Sequence, residues 1–513
     1  MSKKLFNITV AITLITLISK FMGLLRDVIM ASVYGTTIQS DAFIMAQSII
    51  NIISVILIAS LNTAFIPVYS EYIVKKNYEN QQKFINVVYS FSLFSFGILS
   101  ILCFIFSDQI VYFFAPNFSN EAFTLTKKLL KIMLPVVFLY GVVTLNSARL
   151  QIHGNFWVSA FIGYPLNICM IVSMLFFTGN NGIQILAVSY FIGIFGQFLI
   201  QYPFVKKSKH KYKIDFDYKE EGLKKITILM MPILVGTCIQ QINTLVDRIL
   251  ASSLPKGSVT ALQFSNQLIF FITGLFSVIV ASIFYTSMSI YYRDGKLEEF
   301  KKMLKNSINL LLLIVIPAMF GFIILAMPIV TLIFERGAFS KNASYVTSIA
   351  LFYYAIGILG YSLRDMLCRT FYALRDTKTV MFNGIMAVIL NIISSISLFP
   401  FMGIAGLALG TSISSIVATL MLILKLKNKI GDFEITQIIK TFFKVLFASI
   451  LMGSSTYFIY NFIMKYNNSN TLSLLISIAS SVLIYSILIL LLKIEEVDYV
   501  KNIFLHKIKN NVS

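Results

Sequence analysis

An all-α integral membrane protein of about fourteen spans is the fold class this sequence predicts, on three observations. Of its 513 residues, 57% are hydrophobic and only 12% are charged, with a mean hydropathy of +0.82, whereas a soluble domain carries about 25% charge. Apolar stretches of about 20 residues, each long enough to cross a hydrocarbon core of about 30 Å as a helix, recur along nearly the whole chain. The basic residues also alternate between loops, crowded on one side and sparse on the other.

Taken in order, the first stretch, about 7–34, holds Lys20, Arg26 and Asp27 and ends at Gly35. The second, about 42–72, carries Gln47, Asn51, Ser54 and Asn62, with Pro67 near its end as a site for a bend. Spans three to six cover about 85–106, 126–150, 156–178 and 183–205. A polar stretch from Lys206 to Lys225, with eight lysines beside Asp215, Asp217, Glu220 and Glu221, then reads as a linker. Spans seven to twelve follow at about 226–252, 260–291, 307–334, 344–370, 380–400 and 403–425, and two more at 438–463 and 470–493. The predicted organisation is an N-lobe of six spans (1–205), a basic cytoplasmic linker (206–225), a C-lobe of six (226–430), and two further spans with a cytoplasmic tail (431–513).

The formal charge of +20 would suggest nucleic acid in a soluble protein, but here it follows the loops. Lys75, Lys83, the linker lysines, Arg293 to Lys305, Arg375, Lys427 and Lys429 fall on one side; Lys256, Arg336, Lys341 and Lys465 are nearly all that the opposite loops hold. By the positive-inside rule both termini are cytoplasmic, which an even number of spans satisfies. Lys127, Lys128 and Lys131 break the pattern at the outer end of span four, where long side chains can snorkel. The apolar run that begins the chain continues to about Tyr34, too long for a secretory leader.

Several chemistries are excluded. Cys103, Cys169, Cys238 and Cys368 lie within spans and form no CxxC pair, so neither a disulfide framework nor a zinc site is indicated. His153, His210 and His506 lack metal-ligand spacing. There is no phosphate-cradling GxxxxGK[ST] loop, so ATP hydrolysis is not expected to drive this chain. No polar segment is large enough to hold an enzyme active site.

Charged residues inside spans are costly, about 2.5 to 3.5 kcal/mol each at mid-bilayer, and usually face a polar cavity. Two such pairs stand out: Arg26-Asp27 and Asp247-Arg248. Their surroundings echo one another, since Asp27, Ala31 and Ser32 recur at the spacing of Asp247, Ala251 and Ser252, which points to a two-lobed transporter. Lys20, Gly23, Asp27 and Ala31 share one helix face; so do Asn243, Asp247 and Ala251, while Asn266 and Gln267 extend a short stripe in span eight. The competing account is that amides and hydroxyls bond helices together, at about 0.6 kcal/mol apiece. An arginine in such a cavity suits a phosphate or pyrophosphate, because its planar fork donates two parallel bonds and stays charged when desolvated.

The residues also carry a resemblance. SKFMGLLRDVIMASVYG from Ser19 to Gly35, SDAFIMA from Ser40, AFIPVYSEY from Ala64, QINTLVDRILASSLPKGSV from Gln241, LFERGAFS after span nine and FYALRDTKT from Phe371 resemble the MurJ (MviN) family, the lipid II flippases of peptidoglycan synthesis. The resemblance covers nearly the whole chain. It implies two six-helix lobes forming a V around a cationic cavity, two C-terminal helices making a groove for a polyprenyl tail, and alternating access carrying lipid II from the inner to the outer leaflet of the bacterial cytoplasmic membrane. The implied cargo contacts are Lys20, Arg26, Asp27 and Asp41, with Asp247, Arg248, Asn266 and Gln267 as gating or cavity residues.

The chain departs from the family where members carry a lysine and a PN-x-x-RR element in span two and an arginine in span eight; it has Ser48, Ile50, Asn51, Ser54, Val55 and Gln267 there. That thins the positive lining and keeps other undecaprenyl-pyrophosphate-linked glycans open as cargo. The resemblance also implies, for some members, a sodium site in the second lobe built from spans seven, eleven and twelve; the matching positions are Asp247, Asn391, Ser395 and Thr411, with Ser395 where a second carboxylate is expected. No cofactor beyond this candidate sodium ion is implied. Lipid II and membrane lipids are the expected partners, cell-wall synthesis proteins are candidates, and no nucleic acid is expected. A cation or drug antiporter would want a net acidic cavity, which the intramembrane charges do not supply; a membrane scaffold would lose partners, rather than transport, on changing Arg26.

Overall fold

The computed structural model describes residues 3–493 except 76, 180, 208–211, 281–283 and 468. His210, His506 and the tail lie outside the described residues, which form helices and connections with no strand. In chain order the first ten helices are α1 (Lys3–Tyr34), α2 (Ile38–Val74), α3 (Tyr78–Ile105), α4 (Ser107–Phe114), α5 (Asn120–Met133), α6 (Pro135–Ile152), α7 (Phe156–Ala160), α8 (Gly163–Phe176), α9 (Gly182–Lys207) and α10 (Glu221–Ala251). Then come α11 (Ser258–Val280), α12 (Thr286–Arg293), α13 (Leu297–Ile324), α14 (Ala326–Phe334), α15 (Lys341–Ile356), α16 (Ile358–Ala373), α17 (Thr377–Met402), α18 (Ile404–Ile430), α19 (Ile435–Asn467) and α20 (Asn470–Leu491).

Among the described residues ten helices are long and apolar enough to cross a membrane, or twelve if two bent pairs each count as one span. Helices α1 and α11, both read as spans from the sequence, do not enter that count. The bends have local causes. Span four breaks by 40° between α5 and α6, where Pro135 begins α6 with no N–H to offer the preceding turn. Span ten breaks by 45° between α15 and α16 at Gly357, whose missing side chain admits Ser412 of α18. Span nine starts earlier than its apolar run, at Leu297, and breaks at Leu325.

By internal packing the chain forms two compact units, one of residues 1–263 with 336–340 and one of 264–335 with 341–513. In the first unit α2 is the central helix, packed against α5, α6 and α10; 56% of its apolar window is buried, against 11% for α10. It starts on a capping box in which Thr37 and Ser40 satisfy each other's backbone N–H groups. Around it α3, α6 and α9 pack in turn, with α8 joining α9 to α1. The basic linker is bound to this unit rather than hanging free. Lys213 N donates to Asn86 Oδ1 at 3.1 Å and Asp215 N to Ser90 Oγ at 2.9 Å, Lys83 pairs with Asp217 at 2.8 Å, and Tyr72 donates to Glu220 at 2.6 Å.

In the second unit α18 lies against α15, α16 and α17. Small residues permit the approach: a Cβ on Gly360 would meet Ser415, and one on Gly410 would meet Ser395. Hydroxyls close the seam, Ser412 donating to Tyr353 O at 2.7 Å and Thr419 to Gly360 O at 2.9 Å. The last two helices belong to the same unit: α19 packs on α13 and α20, and Tyr485 donates to Leu313 O at 2.7 Å.

Candidate functional site

Helix α1 carries Arg26 and Asp27 into the first unit. Adjacent residues on a helix do not face one another, yet the guanidinium folds sideways onto its neighbour: Arg26 Nη2 and Nε donate to Asp27 Oδ1 at 2.7 and 2.9 Å. Arg26 Nη1 donates to Asn167 Oδ1 of α8 at 3.2 Å, and Asn167 is fixed by donating to Gly163 O at 3.0 Å. These three bonds leave two of the five guanidinium N–H groups for a ligand. Asp27 is buried and its Oδ2 has no hydrogen-bond partner.

The polar stripe of α2 reaches the same neighbourhood. Tyr190 of α9 donates to Asn51 Oδ1 at 3.3 Å and lies 3.1 Å from the Tyr140 hydroxyl. It also bonds Gln47 and feels the Arg26 charge. A cluster of one cation, one carboxylate, amides from α2 and α8, and two phenols therefore sits among apolar helices. Such a set can hold an oxygen-rich anion, the arginine giving charge and direction and the amides and phenols neutral bonds. Asn167, Tyr140 and Tyr190 were not singled out by sequence; each is a lone polar side chain in an apolar run, a weaker signal than a charge.

The remaining expected residues fall elsewhere. Lys20 is exposed on α1, six residues or about 9 Å along the axis from Arg26. Asp41, expected at the cargo, takes a different part: its carboxylate accepts from Gly257 N at 2.5 Å, Thr260 N at 2.8 Å and Thr260 Oγ1 at 2.6 Å. It thus caps the start of α11 from another helix and places a negative charge at the positive end of that helix's dipole. Next to this cap the segment 336–340 closes on the end of α1. Ala338 N donates to Ser32 O at 2.8 Å, and the fit is so close that a Cβ on Gly337 would fall on the Ser32 carbonyl and one on Gly35 on the Ala338 carbonyl. Both glycines also have positive φ, 59° and 57°, where side chains are strained.

Asp247 and Arg248 are half-buried on α10, Arg248 donating to Gln263 Oε1. Asn266 and Gln267 are half-buried on α11 and fall in the second unit. The expected sodium ligands divide, Asp247 in the first unit and Asn391, Ser395 and Thr411 in the second. Ser395 donates to Asn391 Oδ1 at 3.1 Å, and Thr411 to its own helix at Leu407 O, 3.0 Å away. These three oxygens carry no charge, and the buried Asn391 leaves an N–H group, not an oxygen, without a partner. Among the described residues no cluster of three or more His, Cys, Asp or Glu could hold a metal.

Comparison with known proteins gives consistent relatives. The sequence profile of the family described as lipid II flippase MurJ matches residues 30–478. A probable lipid II flippase MurJ of Buchnera aphidicola is 31% identical over 449 residues, covering 86% of this chain and 88% of that protein. One from Haemophilus influenzae is 30% identical, covering 86% and 90%. Among solved structures, a lipid II flippase MurJ in an inward closed conformation superposes with a TM-score of 0.80 at 26% identity, covering 93% of this chain and 98% of that one. An inward-facing multidrug transporter of the MATE family, in the MOP superfamily, matches in fold alone, with a TM-score of 0.66 at 15% identity over 82% of this chain and 96% of its own.

Proposed function

The chain belongs to the lipid II flippase MurJ family, and on that premise we propose that Arg26 and the polar side chains around it receive the pyrophosphate of the cargo. It is a multi-pass membrane protein, its function is that of a lipid II flippase, and lipid II is its cargo. The direction is from the cytoplasmic to the outer leaflet, by alternating access, with both termini cytoplasmic.

The observation that supports this route is the state of Arg26. Its side chain is 16% exposed, and its guanidinium is paired with Asp27 at rest and retains two N–H groups. A pyrophosphate arriving beside it would compete with Asp27 for the same donors, so charge compensation passes from protein to cargo without leaving the arginine bare. Asn167, Tyr190 and Asn51 offer neutral bonds around it, and Lys20 adds a second cation toward one end of α1.

Asp41 serves as a latch instead of a cargo contact. By the charge of the loops, the α11 cap and the closure of 336–340 on Ser32 lie on the outer side. Release toward that side requires this closure to part, and each bond named there has a partner that water can replace once it does.

The test is depletion of the essential lipid II flippase in a host bacterium, with this chain or its Arg26→Ala form supplied at equal membrane expression. Growth and outer-leaflet lipid II restored by the first and not by the second are the expected result. Failure of the well-expressed parent chain would overturn the lipid II reading; rescue by Arg26→Ala would overturn the role of the arginine.

A further inference from the structure

A second cationic centre lies in the first unit, formed by α3, α6, α9 and the linker. Arg149, in the last turn of α6, is 3% exposed, a rare position for an arginine. The Tyr69 and Tyr89 hydroxyls lie within its hydrogen-bonding reach, and Tyr89 in turn donates to Asn146 Oδ1 at 2.7 Å. Beside them is a cavity of about 440 Å³ lined by Arg149, Asn146, Tyr89, Lys206, Tyr202 and Tyr212. Its volume lies in the range of small-ligand sites, and none of the described residues lining it is acidic.

Two features indicate the kind of ligand. Arg149 gives a fixed fork and Lys206, at the end of α9, an exposed mobile ammonium, a pairing suited to phosphate oxygens. The other wall is apolar, with Leu93 and Phe198, and Tyr202 both lines the cavity and is 49% exposed on the side of α9 that also shows Leu199. A polar head can sit inside while an apolar chain runs out along α9. Tyr212 of the linker, hydrogen-bonded to Ser90 at 3.0 Å, also lines the cavity.

We propose that this cavity binds the phosphate of an anionic lipid headgroup from the leaflet on the lysine-rich side, held by Arg149 and Lys206 beside Tyr212. The site is separate from that of Arg26 and its occupant is not the translocated cargo. Occupation joins α6 and α9 to the linker.

Binding is measured on the purified full chain in detergent, by native mass spectrometry and thermal shift, with dioctanoyl phosphatidylglycerol, dioctanoyl phosphatidylcholine and inorganic phosphate as probes. The expected result is preference for phosphatidylglycerol over phosphatidylcholine, weakened roughly tenfold by Arg149→Gln or Lys206→Gln, the loss of one charge-assisted contact, and unchanged by Arg26→Ala. Lys206 is exposed, so Lys206→Gln decides the matter if Arg149→Gln does not fold. Equal stabilisation by inorganic phosphate, lost in the same variants, would keep the phosphate site but assign it a soluble occupant. Binding unaffected by Lys206→Gln and by any folded Arg149→Gln, or abolished by Arg26→Ala, would overturn the proposal.

Discussion

Arg26 and Asp27 hold each other through a shared oxygen, and that single contact sets opposite expectations for stability and binding. Asp27→Asn removes the compensating charge from a half-buried guanidinium, which costs about 2 kcal/mol of stability. It also frees the arginine for an anion. The variant is expected to melt earlier in detergent yet bind a pyrophosphate-bearing lipid more tightly than the parent chain; weaker binding would show that Asp27 contacts the cargo directly. A second carboxylate, Asp376, caps α17 outside the membrane segments. A hydrogen bond from Lys429, then the Thr379 backbone N–H, hold its pKa at about 2, below the usual 3.8. Because the folded value is depressed, its contribution is complete above about 3.8 and is lost as pH falls through about 2. The melting difference between the parent chain and Asp376→Asn should therefore be flat from neutral pH down to about 4 and shrink only below that. At this scale the sequence announced Arg26 and Asp27, since charges in an apolar run are visible by themselves. It did not show what Asp41 bonds, because a carboxylate at a helix start looks the same whether it meets cargo or caps Gly257 and Thr260, more than 200 residues away.

Helix ends and the short segments between helices carry the closure beside Asp41. A side chain at position 337 must displace the Ser32 carbonyl and also adopt a positive φ, a combined cost of about 2 kcal/mol or more. Gly337→Ala should lower the melting temperature and, if the closure parts during transport, raise the labelling of a cysteine placed at Ser32 by a soluble maleimide. Unchanged labelling would mean that this segment does not move. The sequence marked Pro67 as the bend, yet α2 runs through it to Val74, and the break falls instead at Pro135, within a stretch read as one span. The break at Leu325 has a similar local cause, since Pro328 in the first turn of α14 lacks the N–H that would bond Ile324 O in a continuous helix. The linker read as a tether on composition, while its attachment to α3 depends on Asn86 and Ser90 in another helix. Composition cannot show such pairings.

For the whole molecule, hydropathy sufficed to establish an all-helical membrane protein, because a backbone in lipid has few ways to satisfy its own hydrogen bonds. Charge alternation predicts orientation, and that is directly measurable. In a background lacking the four native cysteines, an impermeant maleimide should label Lys465→Cys in intact cells and Lys427→Cys only after the membrane is opened. Labelling of both from outside would overturn the assignment of sides. What hydropathy cannot give is which apolar helices meet, since lipid and protein interiors are equally apolar and small residues and hydroxyls decide the pairing, as Gly360 with Ser415 does in the second unit.

The contact of Gly35 and Gly337 with each other's neighbouring carbonyls also constrains how this protein can diverge. Neither position can gain a Cβ while the opposite segment keeps its path, so a change at one is tolerated only after a compensating change in a segment about 300 residues away. Drift at these two places is therefore expected to be concerted, and in descendants of this chain the two glycines should be retained together or replaced together.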